Sequence, residues 1–228
     1  MPERDYYIMK FKQILPHIYH IHMELCYDLA MHFWRYQEYY ENPTFKGRII
    51  PLIDYMESYA KSEGEGVFSY PDDWSGFNVP SDILIEVSDA ELPDLNKYDI
   101  RMRTLINAIR KKEKDHKFYF IGTCGDDEHL DSTLDHEISH GLYHIDDEYR
   151  EVMDELIDAM PRKNFEAVWE GLMEMGYHAA TVQDEIHAYA STGLDAEIKK
   201  HLPPSVCKPF IKAYKEQRKK WAKRTKGK

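Results

Sequence analysis

Cysteine is scarce in this chain: Cys26, Cys124 and Cys207 are the only three in 228 residues. Their odd number and wide spacing argue against a disulfide framework and against a zinc site built from thiolates. No apolar run approaches the roughly 20 residues that a membrane-spanning helix needs. The opening residues, Met1 to Tyr7, lack the basic-then-apolar order of a secretory leader. No internal repeat is present, and low complexity is confined to a basic stretch at the C-terminus. These absences exclude a disulfide-stapled miniprotein, a helical membrane protein and a solenoid. They lead to the expectation of a reducing, cytoplasmic setting with no membrane partner.

What is present is an ordinary globular composition, 43% hydrophobic and 31% charged, in a chain long enough for one well-buried domain. Charge is unevenly placed. Residues 208–228 carry ten Lys/Arg against one Glu, a net of +9, which leaves −20 on the preceding 207 residues of a chain whose formal net charge is −11. The basic stretch reads as a solvated amphipathic helix and tail. The acidic body repels phosphate and argues against nucleic acid as a general partner, apart from weak contacts by that tail.

Periodicity gives a mostly helical pattern. Ile18, Ile21, Leu25, Leu29, Phe33 and Tyr36 recur at three- and four-residue steps, one stripe of a long helix ending at Asn42–Pro43. A short helix follows Pro51 to about Lys61, and residues 62–80 carry turn chemistry. The β-branched run Ile83 to Val87 predicts a strand, residues 98–114 a helix, and Lys117 to Ile121 a second strand. After Leu130 the pattern is helix upon helix, with breaks near Asp146, Pro161, Gly176, Gly193 and Pro203. The fold class is therefore α+β, mostly helical, with a small sheet before the central helix.

His136-Glu137-Ile138-Ser139-His140 fits the pattern H-E-x-x-H. Positions i and i+4 of a helix share a face, so both imidazoles can reach one ion. Zinc accepts neutral imidazole nitrogen, and Glu137, beside the first ligand, can take a proton from the attacking water. Catalytic zinc needs a third protein ligand. His144, Asp146 and Glu148 are near candidates; the Asp146 arrangement lacks the glycine that a metzincin turn requires, because Tyr143 stands there. Glu185, at the start of the helical run Glu185-Ile186-His187-Ala188-Tyr189-Ala190, is the stronger choice, with Asp184 orienting a histidine. Tyr177 or His178 could donate to an oxyanion, with Tyr143, His144 and His187 as alternatives. His17, His20, His22 and His32 give no second site, since His20 and His22 face different sides of a helix.

The pair of motifs, His136-Glu137-x-x-His140 and a distant Glu185 in an E-x-x-A-x-A helix, resembles the gluzincin metallopeptidases. The gap of 49 residues from first histidine to glutamate is most similar to the catalytic domain of anthrax lethal factor and its relatives. The resemblance covers about residues 120–190. It implies a zincin-like catalytic core over 80–202 within a single domain of 1–228, flanked by an N-terminal helical region (1–61) and the basic helix or tail (203–228). It implies one Zn2+ held by His136, His140 and Glu185, a peptide or protein substrate, and Tyr177 as counterpart of the family's oxyanion tyrosine. It also implies that the strand Lys117 to Ile121 is a sheet edge to which substrate adds. Two other readings compete. One is a di-iron or di-manganese carboxylate oxidase using Glu137-x-x-His140 and Asp184-x-x-His187, with Glu24 and Asp28 as further carboxylates. The other is a non-catalytic zinc-binding protein on the same scaffold.

Overall fold

The structure, a computed structural model, describes residues 9–74, 76–125, 130–175, 177, 179, 181–193 and 196–225. In chain order the elements are β1 (Lys10–Leu15), β2 (Ile18–Met23), α1 (Cys26–Glu41), α2 (Leu52–Ser62), α3 (Tyr70–Asp73), β3 (Gly76–Pro80), α4 (Ser81–Asp89), α5 (Lys97–Glu113), β4 (Tyr119–Cys124), α6 (Leu130–Ile145), α7 (Asp147–Asp158), α8 (Arg162–Glu174), α9 (Val182–Thr192), α10 (Ala196–Lys199) and α11 (Pro204–Thr225). The α+β class and the helical majority hold. Among the described residues no helix is long and apolar enough to cross a membrane. Two compact units divide the chain. The first takes Met1–Lys12 with Tyr19–Asp127, and the second takes Gln13–Ile18 with Glu128–Lys228.

The first unit centres on a four-stranded sheet of order β1-β2-β4-β3. β3 runs antiparallel to β4 in a register that sets Gly76 opposite Thr123 and Pro80 opposite Tyr119. All six residues of β4 are buried. α1 lies over this strand, and Gly122 makes room for it: a Cβ at that position would come within 2.7 Å of the Phe33 ring. Phe33, Phe77, Val79, Leu84, Met102, Ile106 and Phe120 belong to one apolar core. The buried Arg35 is fully employed, meeting Asp99 at 3.1 Å, Asp94 at 2.8 Å and the Ile50 carbonyl at 2.6 Å. α5 starts where Asn96 and Asp99 cap each other's backbone N–H groups.

The structure corrects several expectations. The apolar stripe from Ile18 to Tyr36 is not one helix. Ile18–Met23 is a strand buried along nearly its whole length, and burial on both faces removes the alternation that would have marked it. The N-terminal region over 1–61 is accordingly not all helical. On that strand His20 and His22 share a face, as i and i+2 must, and both reach the Thr123 hydroxyl, at 2.7 and 3.0 Å. Ile83 to Val87 lies within helix α4. Pro80 holds extended backbone just before it, and Ser81, Leu84, Val87 and Ser88 supply the buried three- and four-residue steps. The strand predicted over Lys117 to Ile121 exists as β4, but it is interior between β2 and β3 rather than an edge, so it has no free side for a substrate strand.

The last correction concerns the thiols. Cys26, at the first turn of α1, and Cys124, at the end of β4, form a disulfide with Cα atoms 5.0 Å apart, across 98 residues of sequence. Cys207 is the free cysteine. A crosslink closing so long a loop restricts the unfolded chain strongly. Cys26→Ser, or reduction of the native chain, is expected to lower unfolding free energy by about 2–4 kcal/mol, read from urea midpoints. Identical midpoints with and without reductant would show that the two thiols are not bonded.

Apart from the short Gln13–Ile18 segment, the elements of the second unit are helices. α6 packs against α9, and α11 covers α9 and α7. Its buried residues include Ile138, Leu142, Met153, Val168, Leu172, Ile186, Phe210 and Tyr214. α11 is the basic stretch of the sequence, and it is a docked helix whose Tyr214 and Trp221 are buried. α9 closes at Gly193, in the left-handed conformation at φ 64° that glycine adopts without a Cβ clash.

Candidate metal centre

The site belongs wholly to the second unit and is built from two helices. α6 carries His136, Glu137 and His140, all buried, and α9 carries Asp184, Glu185 and His187. Ser139 on α6 and Ala188 and Ala190 on α9 are small and buried, which lets two helices of this kind approach closely. Three of the expected metal ligands converge. His136 Nε2 and His140 Nε2 are 3.1 Å apart, and Glu185 Oε2 lies 3.5 Å from the first and 3.7 Å from the second.

Proton positions follow from the outer partners. The Thr192 hydroxyl donates to the Ala188 carbonyl at 2.8 Å, so its oxygen is left to accept from His136 Nδ1 at 3.2 Å. Asp184 Oδ1 accepts from His140 Nδ1 at 2.9 Å. Each imidazole therefore carries an N–H on Nδ1 and turns its Nε2 inward. Glu185 Oε2, also buried, takes no hydrogen bond among the described residues. Two ring nitrogens and a carboxylate oxygen thus lie close together.

A cation is what such a donor set fits. Ligands in a tetrahedron at about 2.0–2.1 Å from zinc stand about 3.4 Å apart, and the three observed edges bracket that spacing. A single proton shared between the imidazoles would leave Glu185 Oε2 unmet. Burial disfavours a charged His140, but Asp184 and Glu185 more than offset it and hold its pKa well above the ordinary value. The surroundings thus call for positive charge. Among the described residues no fourth His, Cys, Asp or Glu completes this group.

Asp184 has a second partner, His187 Nε2 at 2.7 Å. Burial lowers the His187 pKa, so the ring is neutral and donates. Burial also opposes charge on Asp184, yet His140 and His187 keep it ionised, its pKa well below the usual carboxylate range. His140, Asp184 and His187 also form a trio with metal-ligand spacing. Its atoms are already joined by two short N–H···O bonds, so it supports the first site from outside. His187 is fully buried and so is not the oxyanion donor.

The other candidates have different employment. Asp146 caps α7 and accepts from Trp221 Nε1 at 2.8 Å and from Gln217. Glu148 is exposed and meets Lys220 at 3.3 Å. Tyr143 donates to Asp154 at 2.6 Å and stacks on the His187 ring. His144, Glu24 and Asp28 belong to neither metal-capable group. His178 lies outside the described residues. Tyr177 is near the site: its hydroxyl is 3.1 Å from that of Tyr189, whose ring packs on His136 at 4.7 Å. Burial first, then the charge of Glu185, push the Tyr177 pKa upward, so it stays a phenol able to donate.

Tyr189 and Thr192 were not among the predicted residues. They stand four and seven places after Glu185, one face of α9, and that spacing was the available signal. No protein-family model, curated protein or solved structure matches the chain.

Three substitutions separate ligand, supporting residue and bystander. Glu185→Ala should abolish tight metal binding, and Asp184→Asn should weaken it about 10–100-fold. Asp146→Ala should leave metal affinity intact while destabilising the fold by about 1 kcal/mol through loss of the α7 cap. Isothermal titration with zinc and thermal unfolding read both; metal loss in Asp146→Ala alone would reassign the third ligand.

Proposed function

We propose that this protein is a zinc-dependent metallopeptidase of gluzincin type, with a peptide or protein as substrate. The observation that carries the reading is the buried trio of His136, His140 and Glu185 with no fourth protein donor among the described residues. The two motifs and their order along the chain support it as well.

His136, His140 and Glu185 would hold the ion. Bound there, zinc supplies Lewis acidity that polarises a carbonyl and acidifies water near neutral pH. Glu137 follows His136 on α6 and is not in the ligand trio. Its carboxylate accepts the proton of the attacking water and returns it to the leaving amine. Tyr177, protonated at neutral pH, donates to the developing oxyanion, and its hydrogen bond with Tyr189 fixes where that phenol points. Asp184 and Thr192 hold the two imidazoles in the ligating tautomer.

The substrate does not add to β4, which is interior. The Cys26–Cys124 bond favours an oxidising compartment over the cytoplasmic expectation, because cytosolic thiols are kept reduced.

Purified protein should hold one zinc per chain and cleave members of a broad peptide library. Glu137→Gln should retain the metal and lose about 10²–10⁴-fold in turnover; normal turnover in that variant refutes its role. Full zinc occupancy without hydrolysis by the native chain would point to a binding protein instead. Tyr177→Phe should lower kcat about 10²–10³-fold with KM little changed, and an equal loss through KM alone would make Tyr177 a substrate contact.

A further inference from the structure

Behind the metal trio the second unit carries a cleft of about 510 Å³ between α6, α9 and α11. Pockets of this size accommodate small ligands. Its charge is distinctive. Lys215, Arg218 and Lys219 line it from α11, at i, i+3 and i+4, so all three reach one side. The opposing charge is Asp135 on α6, which already accepts from Tyr214 at 2.8 Å and pairs with Arg218. Among the described residues neither Lys215 nor Lys219 has an ion-pair partner. The lining therefore holds a surplus of positive charge within a body of strongly negative charge. Hydroxyls of Thr192 and Tyr214 add polar groups at the wall.

We propose that this cleft binds a small polyanion, a ligand bearing phosphate groups, through Lys215, Arg218 and Lys219. Two flexible ammonium groups and one guanidinium suit phosphate oxygens, the guanidinium by paired N–H donors and the lysines as point charges. A concave site favours a compact anion over a surface-spanning polymer. Neither the trio of metal ligands nor Glu137 lines the cleft, so anion binding needs no zinc and no hydrolysis.

The probe is inorganic pyrophosphate, titrated calorimetrically into the full chain at physiological ionic strength. One saturable site per chain is expected. Reversing the two unpaired charges, Lys215→Glu with Lys219→Glu, should weaken it about tenfold or more, since close charges dominate such contacts. Both residues are exposed, so the fold, checked by circular dichroism, should persist. Ala222, which also lines the cleft, offers the second arm. Ala222→Phe fills the space and leaves every charge in place, and the same loss is expected. Binding that survives this filling would reduce the site to diffuse charge and overturn the proposal. So would the absence of saturable pyrophosphate binding. RNA or anionic vesicles that bind the native chain and are not displaced by pyrophosphate would overturn it too, in favour of a macromolecular surface.

Discussion

Two imidazole nitrogens and a carboxylate oxygen, buried and within 3.7 Å of one another, need positive charge between them. The repulsion of inward lone pairs would otherwise push α6 and α9 apart, or a side chain would swing out to find a hydrogen. The surrounding residues make that relaxation harder. Thr192 has already given its proton to a backbone carbonyl, so it can only accept from His136. Asp184 is held ionised by two histidines, so it can only accept from His140. Both outer partners fix the same tautomer. A proton on His140 Nε2 lets the two rings bond each other at 3.1 Å, and a cation in its place would meet Glu185 Oε2 as well.

The parts of the site that were legible in the sequence are those governed by one helix. His136 and His140 share a face because i and i+4 always do. Glu185 was legible because a carboxylate followed by small residues marks a helix built for close approach. Asp184 was anticipated as an orienting group, but its double engagement with His140 and His187 was not, since that depends on how α6 and α9 meet. Tyr189 and Thr192 had a local signal in their spacing from Glu185. It was masked by a chain rich in tyrosine, where any one phenol has little weight.

The misread elements share a physical cause as well. Burial on both faces erases the alternation that identifies strands, so β2 resembled a continuation of α1. A β-branched run with buried steps of three and four can pack as a helix, and Pro80 starts α4 there. Whether β4 is an edge or an interior strand is set by β2 and β3, which lie far from it in sequence. The Cys26–Cys124 bond is the clearest case. Spacing of 98 residues says nothing about proximity until β4 is placed beneath α1. Gly122 is the local token of that placement, since only a residue without Cβ lets Phe33 and Leu29 settle on the strand.

The distinction between a catalytic and a structural metal site turns on where the nearby carboxylates go. A closed site recruits a fourth protein donor, and several acids stand close in sequence to do so. Each is drawn elsewhere by a partner that needs it. Asp146 caps a helix and receives the Trp221 indole; Glu148 faces solvent beside Lys220; Asp154 receives the Tyr143 phenol. Glu137 stands next to a ligand in the chain yet outside the ligand trio, and its charge is felt by both His140 and Tyr177. On the proposed metallopeptidase reading, a carboxylate beside the ligand trio and a phenol held in its donor form are the groups that hydrolysis calls for.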